Sequence, residues 1–273
     1  MSRIAERFRA LAGQGKTALI PYVVAGDPHP DITVDLLHRL AAAGADIIEI
    51  GVPFSDPMSE GPVIQLGHER ALLHHVSLKR VLAMVREFRE RDGSTPLLLM
   101  GYANPIEHMG HAAFVDAAKA AGVDAILTVD IPPEEVTDLN IELKRAGMDN
   151  IFLVAPTTPP ERVAHIAANA SGFIYYVSLK GVTGAGHLDT EDVARHVAEI
   201  QTYSDLPVAV GFGIKDAATA ARVAAVADGV IVGSALVACM AEAVEAGAQP
   251  AEACAAAAQL VADIRAAIDN VAS

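Results

Sequence analysis

The sequence predicts an α/β fold of the (β/α)8, or TIM-barrel, class, with one domain spanning residues 1–273. Three observations lead there. Apolar runs alternate with amphipathic stretches along the whole chain. The runs number about eight, the count such a barrel needs. Most of them are continuously apolar, so both faces of each strand are buried, as in a parallel sheet covered by helices.

The elements follow in order. A charged, amphipathic helix over 2–13 precedes a first strand over 18–24, and a helix over 31–43 leads to a second strand over 46–50. An extra helix over 63–74 follows, and then the regular unit resumes with a helix over 77–91 and strand 96–100. Helices over 112–121, 133–146 and 160–168 alternate with strands 125–129, 150–154 and 173–177. Helices 190–202 and 216–226 lead into strands 207–210 and 229–232, and an Ala-rich helix over 250–271 ends the chain. Asp31, Ser77, Thr190 and Asp216 are the expected N-caps, since a short side-chain oxygen there accepts an otherwise unpaired helix N–H. Ala43-Gly44-Ala45-Asp46, Ala121-Gly122-Val123-Asp124 and Ala146-Gly147-Met148-Asp149 form a weak repeat, with Gly in the left-handed position that ends a helix before the next strand. An open doubly wound sheet is the competing fold. The strand count disfavours it, as does the lack of a Gly-x-Gly-x-x-Gly turn after the first strand.

Composition narrows the partners. Hydrophobic residues make up 52% and charged residues 20%, which excludes a disordered chain. The net charge of −14 repels nucleic acid and anionic lipid, and neither is expected as a partner. Cys239 and Cys254 lie in Ala-rich helical sequence and read as small core residues. The N-terminus lacks the apolar run of a signal peptide, and a cytoplasmic protein is expected. The ten histidines, His74-His75 and His108/His111 among them, read as surface positions at helix ends and loops, with no metal site. Lys180 sits on a loop where nothing would depress its pKa, which argues against Schiff-base chemistry.

Chemistry in such a barrel gathers at the C-terminal ends of the strands. Those positions hold Glu49 after strand two, Met100 and Tyr102 after strand three, and Asp130 after strand four. Tyr175 lies in strand six, with the run from Gly181 to Gly186 beyond it; Gly211-Phe212-Gly213 follows strand seven and Gly233-Ser234 strand eight. A carboxylate beside apolar strand residues loses solvation and needs partners, a raised pKa or a function. Glu49 on a strand end and Glu60 on the following loop therefore form a candidate acid–base pair; a structural ion pair and a solvated turn residue are the alternatives. Gly213, Gly233 and Ser234 fit a phosphate held by backbone N–H groups at a helix N-terminus, or else merely make tight turns. The 181–186 run reads as a lid or as a surface loop.

These residues together resemble the tryptophan synthase alpha chain. The resemblance runs from Ile20-Pro21-Tyr22-Val23-Val24-Ala25-Gly26-Asp27-Pro28, through the stretch from Glu49 to Pro62, to Gly181-Val182-Thr183-Gly184 and Gly211-Phe212-Gly213-Ile214. Gly51-Val52-Pro53-Phe54-Ser55-Asp56-Pro57 is its most specific part. It implies a lyase that splits indole-3-glycerol phosphate into indole and glyceraldehyde 3-phosphate. It also implies a beta-chain partner in an alpha2-beta2 assembly that carries pyridoxal phosphate, with no cofactor in this chain. The resemblance gives Glu49 the general acid–base role and makes Glu60 the second catalytic carboxylate. Tyr22, Ile64, Met100, Tyr102, Leu127, Tyr175 and Phe212 would line the indole pocket. Gly184, Gly213, Gly233 and Ser234 would bind the phosphate. Thr183 would close the lid with support from Asp130, and Pro53, Asp56 and Pro57 would face the beta chain. Two residues depart from the family pattern: Glu60 stands where the family has Asp, and Tyr22 where many relatives have Phe. Two other roles fit the same sequence, a stand-alone indole-releasing lyase and a weak barrel that mainly activates a beta partner.

Overall fold

The computed structural model describes residues 2–178, 190–211 and 213–271. Nine strand segments are parallel to their neighbours: β1 (Ala18–Val24), β2 (Ile48–Gly51), β3 (Leu97–Gly101), β4 (Ala125–Thr128), β5 (Asp149–Asn150), β6 (Phe152–Val154), β7 (Ile174–Val177), β8 (Val208–Gly211) and β9 (Gly229–Val232). They follow the order β5-β4-β3-β2-β1-β9-β8-β7-β6. Only Ile151 separates β5 from β6, so these are two halves of the fifth expected strand. One half pairs with β4 and the other with β7, and the chain itself joins the two ends of the sheet into a barrel.

Around the strands lie α1 (Arg3–Ala12), α2 (Thr33–Ala42), α3 (Pro62–Leu73), α4 (Leu78–Arg89), α5 (Ala103–Met109) and α6 (His111–Ala121). Further on come α7 (Thr137–Ala146), α8 (Pro160–Asn169), α9 (Thr190–Gln201), α10 (Ala217–Ala224), α11 (Ser234–Glu245) and α12 (Pro250–Asp269). Ser77 and Asp216 cap α4 and α10 as expected, each accepting a backbone N–H three residues on. Asp31 is not a cap. It sits inside a 3-10 turn, Pro30–Ile32, whose fixed first proline starts the turn before α2 begins at Thr33. Thr190 is the first residue of α9. No described helix is long and apolar enough to cross a membrane.

Two apolar layers result. The larger lies between the strands and the helices, and Cys254 is buried in it. The other fills the barrel. It takes alternate strand residues, among them Ala18 and Ile20, Ile47, Leu98, Leu127, Tyr175 and Ile231. Because side chains alternate along a strand, the next inward positions after Ile20 and Ile47 are Tyr22 and Glu49. Ile4, Phe8 and Leu11 of α1 close this inner layer from the opposite end, with the Phe8 and Phe173 rings 5.6 Å apart.

Two aspartates of the repeat, Asp46 and Asp124, tie that closed end together. Asp46 accepts the Leu19 N–H at 2.8 Å, Arg7 Nε at 2.9 Å and Arg265 Nη1 at 3.0 Å. Asp124 accepts the Leu97 N–H at 2.9 Å, Arg89 Nη2 at 2.8 Å and Arg3 Nη1 at 2.7 Å. Each carboxylate thus caps the start of the neighbouring strand while two guanidinium groups offset its charge. The glycines of the repeat, Gly44, Gly122 and Gly147, have positive φ as the sequence implies.

Candidate active site

Strand parity aims Glu49 into the barrel at the open end. Tyr22 of β1 flanks it in register on one side and Leu98 of β3 on the other. The residue is 0% exposed, and neither carboxylate oxygen has a hydrogen-bond partner among the described residues. Burial without compensation raises its pKa to about 8, and the nearby Glu60 carboxylate pushes the same way. Glu49 therefore holds its proton more tightly than an ordinary carboxyl, with no partner for it among the described residues.

Glu60 lies on the loop after β2 and is 8% exposed. The Tyr102 hydroxyl donates to its Oε2 and itself accepts the Ser59 N–H at 3.2 Å. Burial raises the Glu60 pKa, while the Tyr102 hydrogen bond and backbone N–H groups act against that rise. One acid is thus bare and the other is held. The two environments differ enough to suit different tasks.

A cavity of about 260 Å³ opens at the strand ends; Glu60 lines it, whereas Glu49 is fully buried outside its lining, next to the wall residue Tyr22. Its polar wall comprises Tyr22, Ser59, Glu60, Tyr175 and Ser234, with the backbone of Gly213 and Gly233. Ile64, Met100, Leu153, Val177, Ile214 and Ile231 form the apolar wall. Gly233 precedes the first turn of α11, where helix N–H groups and the dipole favour an anion. The cavity therefore offers an apolar body with an anion-binding end, with the tethered Glu60 in its wall and the bare Glu49 buried next to Tyr22.

Several expected site residues fall differently. Leu127 does not line the cavity; although in register with Met100, which does, it is 0% exposed in the inner layer. Tyr102 stands behind Glu60 rather than in the cavity wall. Asp130 is exposed and accepts the Ala103 N–H at 2.7 Å, which fastens the β4 exit to the start of α5. Pro53 is buried, whereas Asp56 is exposed and Pro57 half-buried. Thr183, Gly184 and Phe212 lie outside the described residues, as do Lys180 and the 181–186 run.

The sequence reading missed His68, which is 1% exposed rather than at the surface. It missed Gly51 as well: a Cβ there would fall 2.2 Å from Tyr22 Oη, so only glycine leaves room for that hydroxyl. Leu153, Val177 and Ile231 read as plain core residues. Period-two parity along their strands is the signal that finds them.

Comparison with known proteins gives the same picture. The family model described as tryptophan synthase alpha chain matches residues 8–267. The tryptophan synthase alpha chain of Thioalkalivibrio sulfidiphilus is 62% identical over 237 residues, covering 87% of this chain and 89% of that one. The one from Burkholderia thailandensis is 55% identical over 272 residues, covering 100% and 98%. Among solved structures, tryptophan synthase subunit alpha from Legionella pneumophila superposes with a TM-score of 0.91 at 44% identity, covering 99% of both chains. A chain of Mycobacterium tuberculosis tryptophan synthase does so at 0.87 and 35%, covering 98% of both.

Proposed function

This chain belongs to the tryptophan synthase alpha chain family, and we propose from that premise that its rim cavity cleaves indole-3-glycerol phosphate to indole and glyceraldehyde 3-phosphate. The indole then passes to a beta chain for tryptophan synthesis. The observation that carries the reading is the buried Glu49 carboxyl, its pKa raised to about 8 and its oxygens unpartnered among the described residues, next to Tyr22 in the wall of an apolar cavity with a helix N-terminus at its edge.

The chemistry is a retro-aldol lyase reaction. Glu49 gives its proton to indole C3, which turns the ring into an electron acceptor. The carboxylate so formed takes the proton of the adjacent side-chain hydroxyl. The carbon–carbon bond breaks, its electron pair returns to the ring, and the hydroxyl carbon becomes the aldehyde. Atoms and charge balance, and Glu49 ends as it began. A group with a pKa near the working pH suits both transfers. Glu60, in its ionised form, accepts the indole N–H and stabilises the positive charge that grows on the ring. Gly213, Gly233 and Ser234 hold the phosphate through backbone N–H groups.

In this reading the chain is a cytoplasmic enzyme subunit with no cofactor of its own, and the pyridoxal phosphate belongs to the beta chain. Asp56, Pro57 and the 80%-exposed Met58 form the tip that meets that partner in an alpha2-beta2 assembly. Incubating the whole chain with indole-3-glycerol phosphate, with and without a beta chain, tests it. Indole release that rises when the beta chain is added supports the reading. Full turnover alone points to a stand-alone lyase. No turnover even with a beta chain leaves only an activating role and overturns the proposed chemistry.

A further inference from the structure

A chain of contacts runs from the cavity wall to the loop that carries Glu60. His68 projects from α3 into the barrel wall and is almost wholly buried. Its Nδ1 accepts the Phe54 N–H at 3.1 Å, which assigns the ring proton to Nε2. Nε2 lies 3.3 Å from Tyr22 Oη and so donates to it. The Phe54 ring stacks on Tyr102 with centroids 4.9 Å apart, and Tyr102 holds Glu60. Tyr22 and Glu60 both line the cavity.

We infer that His68 is a positioning residue: it turns the Tyr22 hydroxyl proton toward the cavity and fastens that hydroxyl, through Phe54 and Tyr102, to the loop bearing Glu60. A phenol oxygen that accepts from His68 still has one proton to give. Gly51, which must stay glycine for this hydroxyl, supplies no acceptor side chain on its flank. The proton is left for an oxygen entering the cavity, and the hydroxyls of a polyol phosphate are such acceptors. This role rests on the proposed cleavage reaction for its kinetic consequence but not for its geometry.

The test uses the whole chain and two independent readouts. Nitrogen NMR of 15N-histidine-labelled protein should show His68 with a bare Nδ1 and a protonated Nε2, and the Nε2 signal should move in Tyr22→Phe. The opposite tautomer, or an unmoved signal, overturns the inference whatever the enzyme does. In indole-release kinetics, Tyr22→Phe should lower kcat/KM by roughly three- to tenfold, the value of one neutral hydrogen bond. His68→Asn keeps an acceptor for Phe54 but falls short of Tyr22, and should match it. His68→Gln reaches Tyr22 and should recover most of the loss. The Tyr22→Phe/His68→Asn double variant should be no worse than the poorer single variant, because both remove one interaction. Additive losses, or no loss in Tyr22→Phe, would refute the coupling. A wild-type chain with no turnover counts against the proposed reaction alone, and the NMR result then decides the pair.

Discussion

Tyr102 Oη donates to Glu60 Oε2 while accepting the Ser59 N–H at 3.2 Å, so a phenol at the end of β3 grips both the second carboxylate and the residue before it. Glu60 is one methylene longer than the Asp of the family motif, and this grip sets where its oxygens lie. Tyr102→Phe removes a contact that lowers the Glu60 pKa. The acid limb of the pH–rate profile should then move to higher pH, with kcat down about tenfold. An unmoved profile would show that Glu60 is not the group that titrates.

Glu60→Asp restores the shorter acid but shortens its reach to Tyr102. The flanking residues Ser55, Asp56, Met58 and Ser59 are exposed, so the loop has room to follow. Activity should stay within about tenfold of wild type, whereas Glu60→Ala should lose roughly a hundredfold or more. A collapse of Glu60→Asp to the level of Glu60→Ala would mean that the loop is built around the longer acid.

Glu49→Gln should cut indole release by about 10²- to 10⁴-fold, the usual worth of a general acid–base. It should also change stability in a pH-dependent direction. The folded pKa, about 8, lies above the ordinary 4.5. The stability tied to this proton is complete below 4.5 and is lost as pH rises through 8. Glutamine carries no charge at any pH. The Tm of Glu49→Gln relative to wild type should therefore be several degrees higher at pH 8.5 than at pH 5. An equal difference at both pH values would show that Glu49 titrates normally.

His68 has the opposite sign. Burial lowers its pKa to about 4 from 6.5, so its contribution is present above 6.5 and is lost as pH falls through 4. Urea unfolding at pH 7 and pH 4.5 should show wild type losing on the order of 2 kcal/mol more than His68→Gln. Equal losses would mean that the imidazole is protonated in the folded protein.

Much of this was legible from the residues. The eight apolar runs located every strand, and the carboxylate at the end of the second run lay where parity with Ile47 turns it inward. The helix Ala103–Met109 was not legible, because Pro105 within so short a segment reads as a turn. His68 was hidden because its neighbours Gln65, Glu69 and Arg70 suggest a solvated helix; only the approach of α3 to the barrel mouth shows that one polar residue of the helix points inward. Leu127 stands in register with Met100, which lines the cavity, yet is fully covered: its inward parity was legible in the strand pattern, and the packing that covers it was not.

The Asp46 clamp has a consequence for how the molecule is made. Arg7 and Arg265 meet on one carboxylate although 258 positions separate them (265 − 7). A ribosome delivers Arg7 and Asp46 long before Arg265. Until α12 arrives, the first strand units hold a buried negative charge with half of its guanidinium cover missing, and α2, α10 and α11 lack the helix that packs on them. A chain stopped before α12 thus keeps Glu49, Glu60 and the residues of the cavity wall yet is marked as unfinished at the opposite pole, where proteases that sample loosened helices would find it first.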